Sequence, residues 1–338
     1  MIVSKSSTWH LADAISDCQP PSLSRDGYAL VDPGAFSDAG ELASLCGRMC
    51  VPINWGKDFT GLPMLIDLRQ CDARQKEWLE SALADDLEAQ QRFPLFRPRV
   101  CGYLETLVSA DVVASHLGQQ MLVLPIDKSG NRSGSAALWR FFDPRVFANL
   151  CWLLDADRFA ALTGPISTWL FPWFGNWFEL ATSPVRITGV NAAERIAGFM
   201  RIDIEVWERA QRVALVNQVL ARLALPPDIS WSQRASVANH IETAVAVAKD
   251  RLHWDEREDQ ARYAEHVVRY GLAFLTHPKL APYWTLREAQ RTPGSWADLA
   301  ALLTTEEYDV LAQQAMNTVP TLPPANFSNT AALGTRDL

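Results

Sequence analysis

Two hydrophobic rhythms divide this chain. In the first half, short apolar runs rich in β-branched and aromatic residues alternate with stretches of helical spacing; from Asn191 onward helical spacing takes over. Tyr28–Val31 reads as a strand stopped by Asp32-Pro33-Gly34, and Ser37 or Asp38 can cap a helix through Glu41, Leu42, Leu45 and Met49. Val51–Asn54 and Met64–Leu68 read as two further strands. Asp72–Gln91 is a long helix with Trp78, Leu79, Ala82, Leu83 and Leu87 on its inward face. Beyond the proline-containing break Arg92–Arg99 come a strand at Val100–Leu104, a helix at Ala110–Leu117 and a strand at Met121–Ile126. The polar run Asp127–Gly134 is an exposed turn, and it predicts a hairpin between Met121–Ile126 and Ala137–Phe142.

The stretch from Ala136 to Trp169 organises the rest. Asp143 can accept from the first N–H groups of a helix, and Pro144 suits its first position because it lacks a donor that would go unused there. Val146, Phe147, Leu150, Cys151 and Leu154 then follow at helical spacing. Asp155 opens a second short helix with Phe159 and Leu162 inward, closed by Gly164-Pro165. Residues 166–178, ISTWLFPWFGNWF, crowd Trp169, Phe171, Trp173, Phe174, Trp177 and Phe178 around Pro172 and Gly175. Three readings stand open for them: a tight turn that plugs the junction between two lobes, an aromatic surface for a protein partner, or a membrane-surface contact, against which the lack of an accompanying basic cluster counts.

In the second half, a long helix starts among Ile196, Phe199, Met200, Ile204 and Trp207 and runs to about Leu225, where Pro226-Pro227 breaks it. A helix opened by Ser230 or Ser232, one over Asp255–Phe274, one over Trp296–Leu303 capped by Ser295, and one from Thr304 or Thr305 to Met316 complete the pattern. The expected fold is therefore an α/β (mixed) N-terminal lobe, a mixed sheet flanked by helices, followed by an all-α C-terminal lobe. The boundaries are a flexible arm at 1–25, an α/β domain at 26–185, a helical lobe at 190–316 and a flexible tail at 317–338.

Composition narrows the chemistry. The 338 residues carry a net charge of −8, which argues against a general nucleic-acid-binding surface. The 13 tryptophans are the outlier, and Trp serves both cores and binding hot spots. The six cysteines are scattered, as in a reduced cytosolic protein, and Cys46-x-x-x-Cys50 lacks the second pair or His partners of a zinc site. There is no basic-then-apolar signal sequence and no apolar run of spanning length, so a cytoplasmic location without membrane insertion is expected. Neither a Gly-rich phosphate loop nor a GxSxG elbow is present. His10, His116, His240, His253, His266 and His277 show no helical ligand spacing. Cys151 lies on an apolar face, and the acids Asp255, Glu256, Glu258 and Asp259 are interleaved with Arg251, Arg257 and Arg262 as on a solvated helix. No catalytic residue, metal or cofactor is assigned.

Arg140-Phe141-Phe142-Asp143-Pro144-Arg145, with Leu162-Thr163-Gly164-Pro165-Ile166 beyond the hydrophobic helix, resembles the "RFYDPRVL…FFGPI" core of one bacterial family, the domain of unknown function 4123. The resemblance covers residues 26–170. It extends more loosely to Tyr263-Ala264, Val267 and Tyr270-Gly271-Leu272, similar to that family's "A…YGL" helix. It implies a chaperone or adaptor that binds a type VI secretion toxin and loads it onto the spike protein, without catalysis. Arg140, Phe142, Asp143, Pro144, Gly164 and Pro165 are expected to form a structural clasp, with carboxylate partners for any buried arginine. Trp169, Phe171, Trp173, Phe174, Trp177 and Arg145 are the candidate partner-binding residues, Arg145 having the clasp as its other reading. A hydrolase with a site between the lobes and a toxin-neutralising immunity protein are the alternatives.

Overall fold

The computed structural model describes residues 14–23, 26–36, 45, 47–53, 56, 61–182, 195–196, 199–226, 228–288 and 295–317. Among them, seven strands build one sheet: β1 (Ile15–Cys18), β2 (Tyr28–Val31), β3 (Gly47–Met49), β4 (Met64–Asp67), β5 (Val100–Glu105), β8 (Thr168–Trp173) and β9 (Asn176–Ala181). Their order is β1-β9-β8-β5-β2-β4-β3, and every neighbouring pair is antiparallel. The expected single mixed sheet is thus two sheets. β6 (Leu122–Ile126) and β7 (Ala137–Leu138) pair as the anticipated hairpin, but in a second sheet of order β10-β11-β6-β7. Its other members are β10 (Arg195–Ile196) and β11 (Phe199–Asp203), and β11 lies parallel to β6.

The helices of this part are α1 (Ala73–Arg92), α2 (Ala110–Gln120), α3 (Pro144–Leu153) and α4 (Ala156–Thr163). Asp72 caps α1 with a full capping box: it accepts from the Gln75 N–H at 2.8 Å while Gln75 accepts from the Asp72 N–H at 2.9 Å. The inward face of α1, through Leu79, Ala82 and Leu83, packs on Ala29, Val31, Ile66 and Val100 of the large sheet. Near its end, buried Asp86 accepts from the N–H groups of Arg99 and Val100 at 2.6 and 2.9 Å, fixing where β5 begins.

The latter half is helical from Ile204: α5 (Ile204–Leu223), α6 (Trp231–Asp250), α7 (Arg257–Leu275), α8 (Ala281–Glu288), α9 (Trp296–Ala300) and α10 (Thr305–Asn317). The chain divides into two compact units, Met1–Asn217 with Leu225–Ala235, and Gln218–Ala224 with Ser236–Leu338. The division passes through α5 and α6. The second unit has its own aromatic core, in which buried Trp254 meets Tyr263, Trp296 and Trp284 at ring distances of 5.4, 6.1 and 6.4 Å. Arg222 and Arg262 both hold Glu258, at 2.6 and 2.9 Å, so the acidic run 255–259 contributes to an ion-pair lattice.

Five local expectations are corrected. Ile15–Cys18, placed in the flexible arm, is an edge strand paired with β9. The second strand is Gly47–Met49 rather than Val51–Asn54. The Ala137–Phe142 strand stops at Leu138, because Arg140 to Phe142 turn to meet the large sheet. Phe199–Asp203, read as the opening of a helix, is a strand, because pairing with β6 supplies backbone partners that outweigh a weak local preference. The arm up to residue 13, the tail beyond 317 and the start of the helix expected through Glu41 and Leu42 lie outside the described residues, while the end of that helix is corrected, Met49 being in strand β3.

Candidate functional site

The Arg140–Arg145 motif forms two ion-pair clasps. Asp143 accepts from the Arg145 N–H at 3.0 Å as the cap of α3, and its carboxylate also takes Arg145 Nε and Nη2 at 3.0 and 2.6 Å. Arg145 Nη1 donates to the Leu95 carbonyl at 2.6 Å. Burial works against this cation, but Asp143 more than offsets it and the pKa of Arg145 is raised. Arg140 donates to Asp32 at 2.7 Å and to the Gly61 carbonyl at 3.2 Å, and its guanidinium lies over the buried Phe142 ring. Asp32 is buried and holds a second cation, Arg97, at 2.6 Å. At the far end, Gly164 closes α4 at φ +57°, where a Cβ would stand 2.3 Å from the His116 ring, and the Pro165 carbonyl accepts from Thr106 Oγ1 at 2.6 Å. Sequence pattern pointed to the motif; it did not show Asp32 and Arg97, which lie far from it along the chain.

Residues 168–181 are a hairpin rather than a turn or an open surface. Its loop is Phe174-Gly175, both at positive φ, +51° and +74°, which is the two-residue type I′ connection. Strand alternation then buries both faces. Leu170 and Trp177 face the α1 core. Trp169, Phe171, Trp173 and Phe178 face the other way, against Phe147 of α3 and Trp231 of α6, with Phe147–Trp169 stacked at 4.2 Å and Trp173–Trp231 at 5.3 Å. Trp169, Phe171, Trp173 and Trp177 are no more than 3% exposed, so the expectation that they meet a partner is corrected: their area is already spent on the core. Phe174 remains half-buried at the tip. Arg145, the other candidate, is committed to Asp143 and Leu95.

Polar groups pin this hairpin. Asn217 of α5 accepts from Trp173 Nε1 at 3.3 Å and from Asn149 at 3.1 Å, and donates to the Arg145 carbonyl at 2.9 Å. Arg234 of α6 differs from Arg140 and Arg145 in having no carboxylate partner among the described residues. It is 4% exposed, and its Nε has no hydrogen-bond partner. Its guanidinium lies 5.7 and 6.0 Å from the ring centroids of Trp173 and Phe174. Burial lowers its pKa, and exposed Asp17 on β1 opposes this. Cation–π contact contributes about 0.5–2 kcal/mol, whereas burying a charge costs several kcal/mol, so the cation is under-compensated as it stands. No sequence signal marked Arg234; it emerges only from burial.

Four cysteines and two histidines are held within the fold. Burial pushes the Cys50 thiol up to about 12 and, with Glu179 and Asp17 adding to it, Cys18 to about 11; Cys101 and Cys151 are raised well above the ordinary range by burial. These thiols stay protonated at neutral pH and are poor nucleophiles. His116 contacts the Leu162 carbonyl at 3.0 Å, and His266, its pKa lowered by burial, packs 4.5 Å from Trp296. Among the described residues no cluster of His, Cys, Asp and Glu could hold a metal ion; Cys46 is not among them. No described helix is long and apolar enough to cross a membrane.

A surface groove lies on the second unit. Gly271 breaks α7 with φ +57°, and Leu272 just beyond it is 73% exposed. Behind it, a groove of about 490 Å³ runs between the end of α7 and α10. Ala273, Pro278, Val310 and the buried Leu311 give it apolar surface, Thr276, His277 and Gln314 add polar groups, and Glu306 and Glu307 add carboxylates. Val310 is half exposed, and Lys279 neutralises Glu307 at 2.8 Å while Glu306 has no cation opposite it among the described ion pairs. Such a groove can seat the apolar ridge of a helix and favours basic residues beside it. No family model, curated protein or solved structure matches the chain.

Proposed function

We propose that this chain is a non-catalytic chaperone or adaptor that binds a type VI secretion toxin and loads it onto the spike protein, acting in the cytoplasm. The observation that carries the reading is the α7–α10 groove, an apolar trough with acidic residues beside it. Its occupant is an amphipathic helix of the toxin that lays apolar side chains on Val310 and Pro278 and a Lys or Arg against Glu306. The motif resemblance supports the same reading, and its arginines serve the scaffold through Asp32 and Asp143. In this view the α/β part is the platform and the helical part from α5 onward carries the client. Release after loading relies on differential affinity for toxin and spike.

The test is co-expression of the tagged chain with the proteins encoded beside its gene. A stoichiometric complex with a toxin and the spike protein is expected, and Val310→Asp should release the toxin while leaving the chain folded. A toxin bound alone through its active domain, or no partner, overturns the adaptor reading. Retention of the toxin by Val310→Asp overturns the groove as its seat.

A further inference from the structure

We infer that Arg234 forms the heart of an oxyanion site that takes a carboxylate between the β8–β9 hairpin tip and the first turn of α6. The inference stands apart from the adaptor reading. Its basis is a contrast within one compact unit. Arg99, Arg140 and Arg145, each about a quarter to a third exposed, all have a carboxylate within 2.8 Å. Arg234, the most buried of the four, has none among the described residues, and its Nε is left without any partner. Aromatic rings stand where a counter-ion would be: Trp173 and Phe174 lie beside the guanidinium, and Trp231, one helical turn earlier, packs on Trp173. A planar fork beside ring faces recognises a flat acid through its edge, in the two-point geometry that arginine and carboxylate share.

Trp173, Phe178 and Trp231 are buried, whereas Phe174 is half-buried and sits at φ +51°, a conformation that costs a bulky residue strain. Phe174 is therefore the wall that moves with least loss of packing. Asp17, exposed on β1, is the acid whose field reaches Arg234 and sets the competing occupant.

The experiment follows thermal unfolding of the full chain at neutral pH while sodium acetate replaces sodium chloride at constant ionic strength. The wild-type midpoint is expected to rise saturably with acetate, because a ligand that binds only the folded state stabilises it by mass action. Arg234→Met should lose that rise, and in chloride it should melt at or above the wild-type temperature. If Arg234→Met does not fold, Arg234→Lys, which keeps the charge and loses the fork, should show a weakened rise. Phe174→Gly should shift the acetate response to lower concentration. Asp17→Asn should do the same by removing the internal competitor. A short blocked peptide carrying one Asp that acts below the acetate concentration assigns the carboxylate to a partner chain, and equal potency assigns it to a small acid. An equal rise in wild type and Arg234→Met, no rise in wild type, or a response to phosphate but not acetate overturns the inference.

Discussion

The β8–β9 hairpin and the α7–α10 groove are both apolar features, and the protein treats them in opposite ways. The hairpin is the richer in aromatics, yet it is covered on both faces, by α1 on one side and by Phe147 and Trp231 on the other. The groove is built from modest residues, Ala273, Pro278 and Val310 over a buried Leu311, and is left open. Aromatic density in a sequence thus reports how much area there is to bury, and neighbouring elements decide whether that area meets the protein's own core or a partner.

The sharpest way to break this comparison is Trp169→Ala. The side chain is stacked on Phe147 and buried, so its loss should cost about 3–5 kcal/mol of stability. Urea unfolding checks it; a near-neutral result would return the hairpin to the list of surfaces. Next is Asp32→Ala, which leaves Arg97 and Arg140 without their shared carboxylate. Both arginines are about one-third exposed, so water softens the loss, and about 2–3 kcal/mol is expected in the same assay.

A smaller effect concerns pH. Hydrogen bonds from Arg222 first, and then Arg262, hold the Glu258 carboxyl below the usual range. The folded value lies below the unfolded one of about 4.3, so this stabilisation is complete above that pH and is lost as pH falls through the lowered folded value. Glu258 is half exposed, and a loss of about 0.2–1 kcal/mol is expected. Comparing wild type with Glu258→Gln at pH 7 and pH 3 isolates it: the difference between the two should shrink in acid. The smallest stability effect belongs to Val310→Asp, within about 0.5 kcal/mol because the side chain is half exposed. That variant sharpens the comparison through binding: under the proposed adaptor function, capture of a toxin fails while the urea midpoint holds.

Local chemistry was readable where it is self-contained. The Asp143-Pro144 cap and the Gly164 stop each need only a few neighbouring residues, and both are found at those positions. The long helix after Asp72 likewise follows from its own apolar face. Readings failed where a distant segment intervened. β11 is a strand because β6 lies beside it, and Ile15–Cys18 is ordered because β9 offers an edge. For the candidate sites the misreading was one of direction: Trp169, Phe171, Trp173 and Trp177 were singled out correctly as unusual but face the core. Asn217 and Arg234 carried no local signal, and Asp32 showed only its turn-forming role, not its two arginines, because those pairings come from distant segments.

By itself, then, the sequence determined the helix caps, the broad change from mixed α/β to helical character, and the need for large aromatic burial, because propensity, capping and periodicity act over a few residues. Only the tertiary structure decided that the strands form two sheets, that one carboxylate serves Arg97 and Arg140, that the tryptophan hairpin is interior, and that Arg234 is buried without an acid. Those outcomes depend on which distant segments meet, and a burial energy or an unmet charge exists only once they have met.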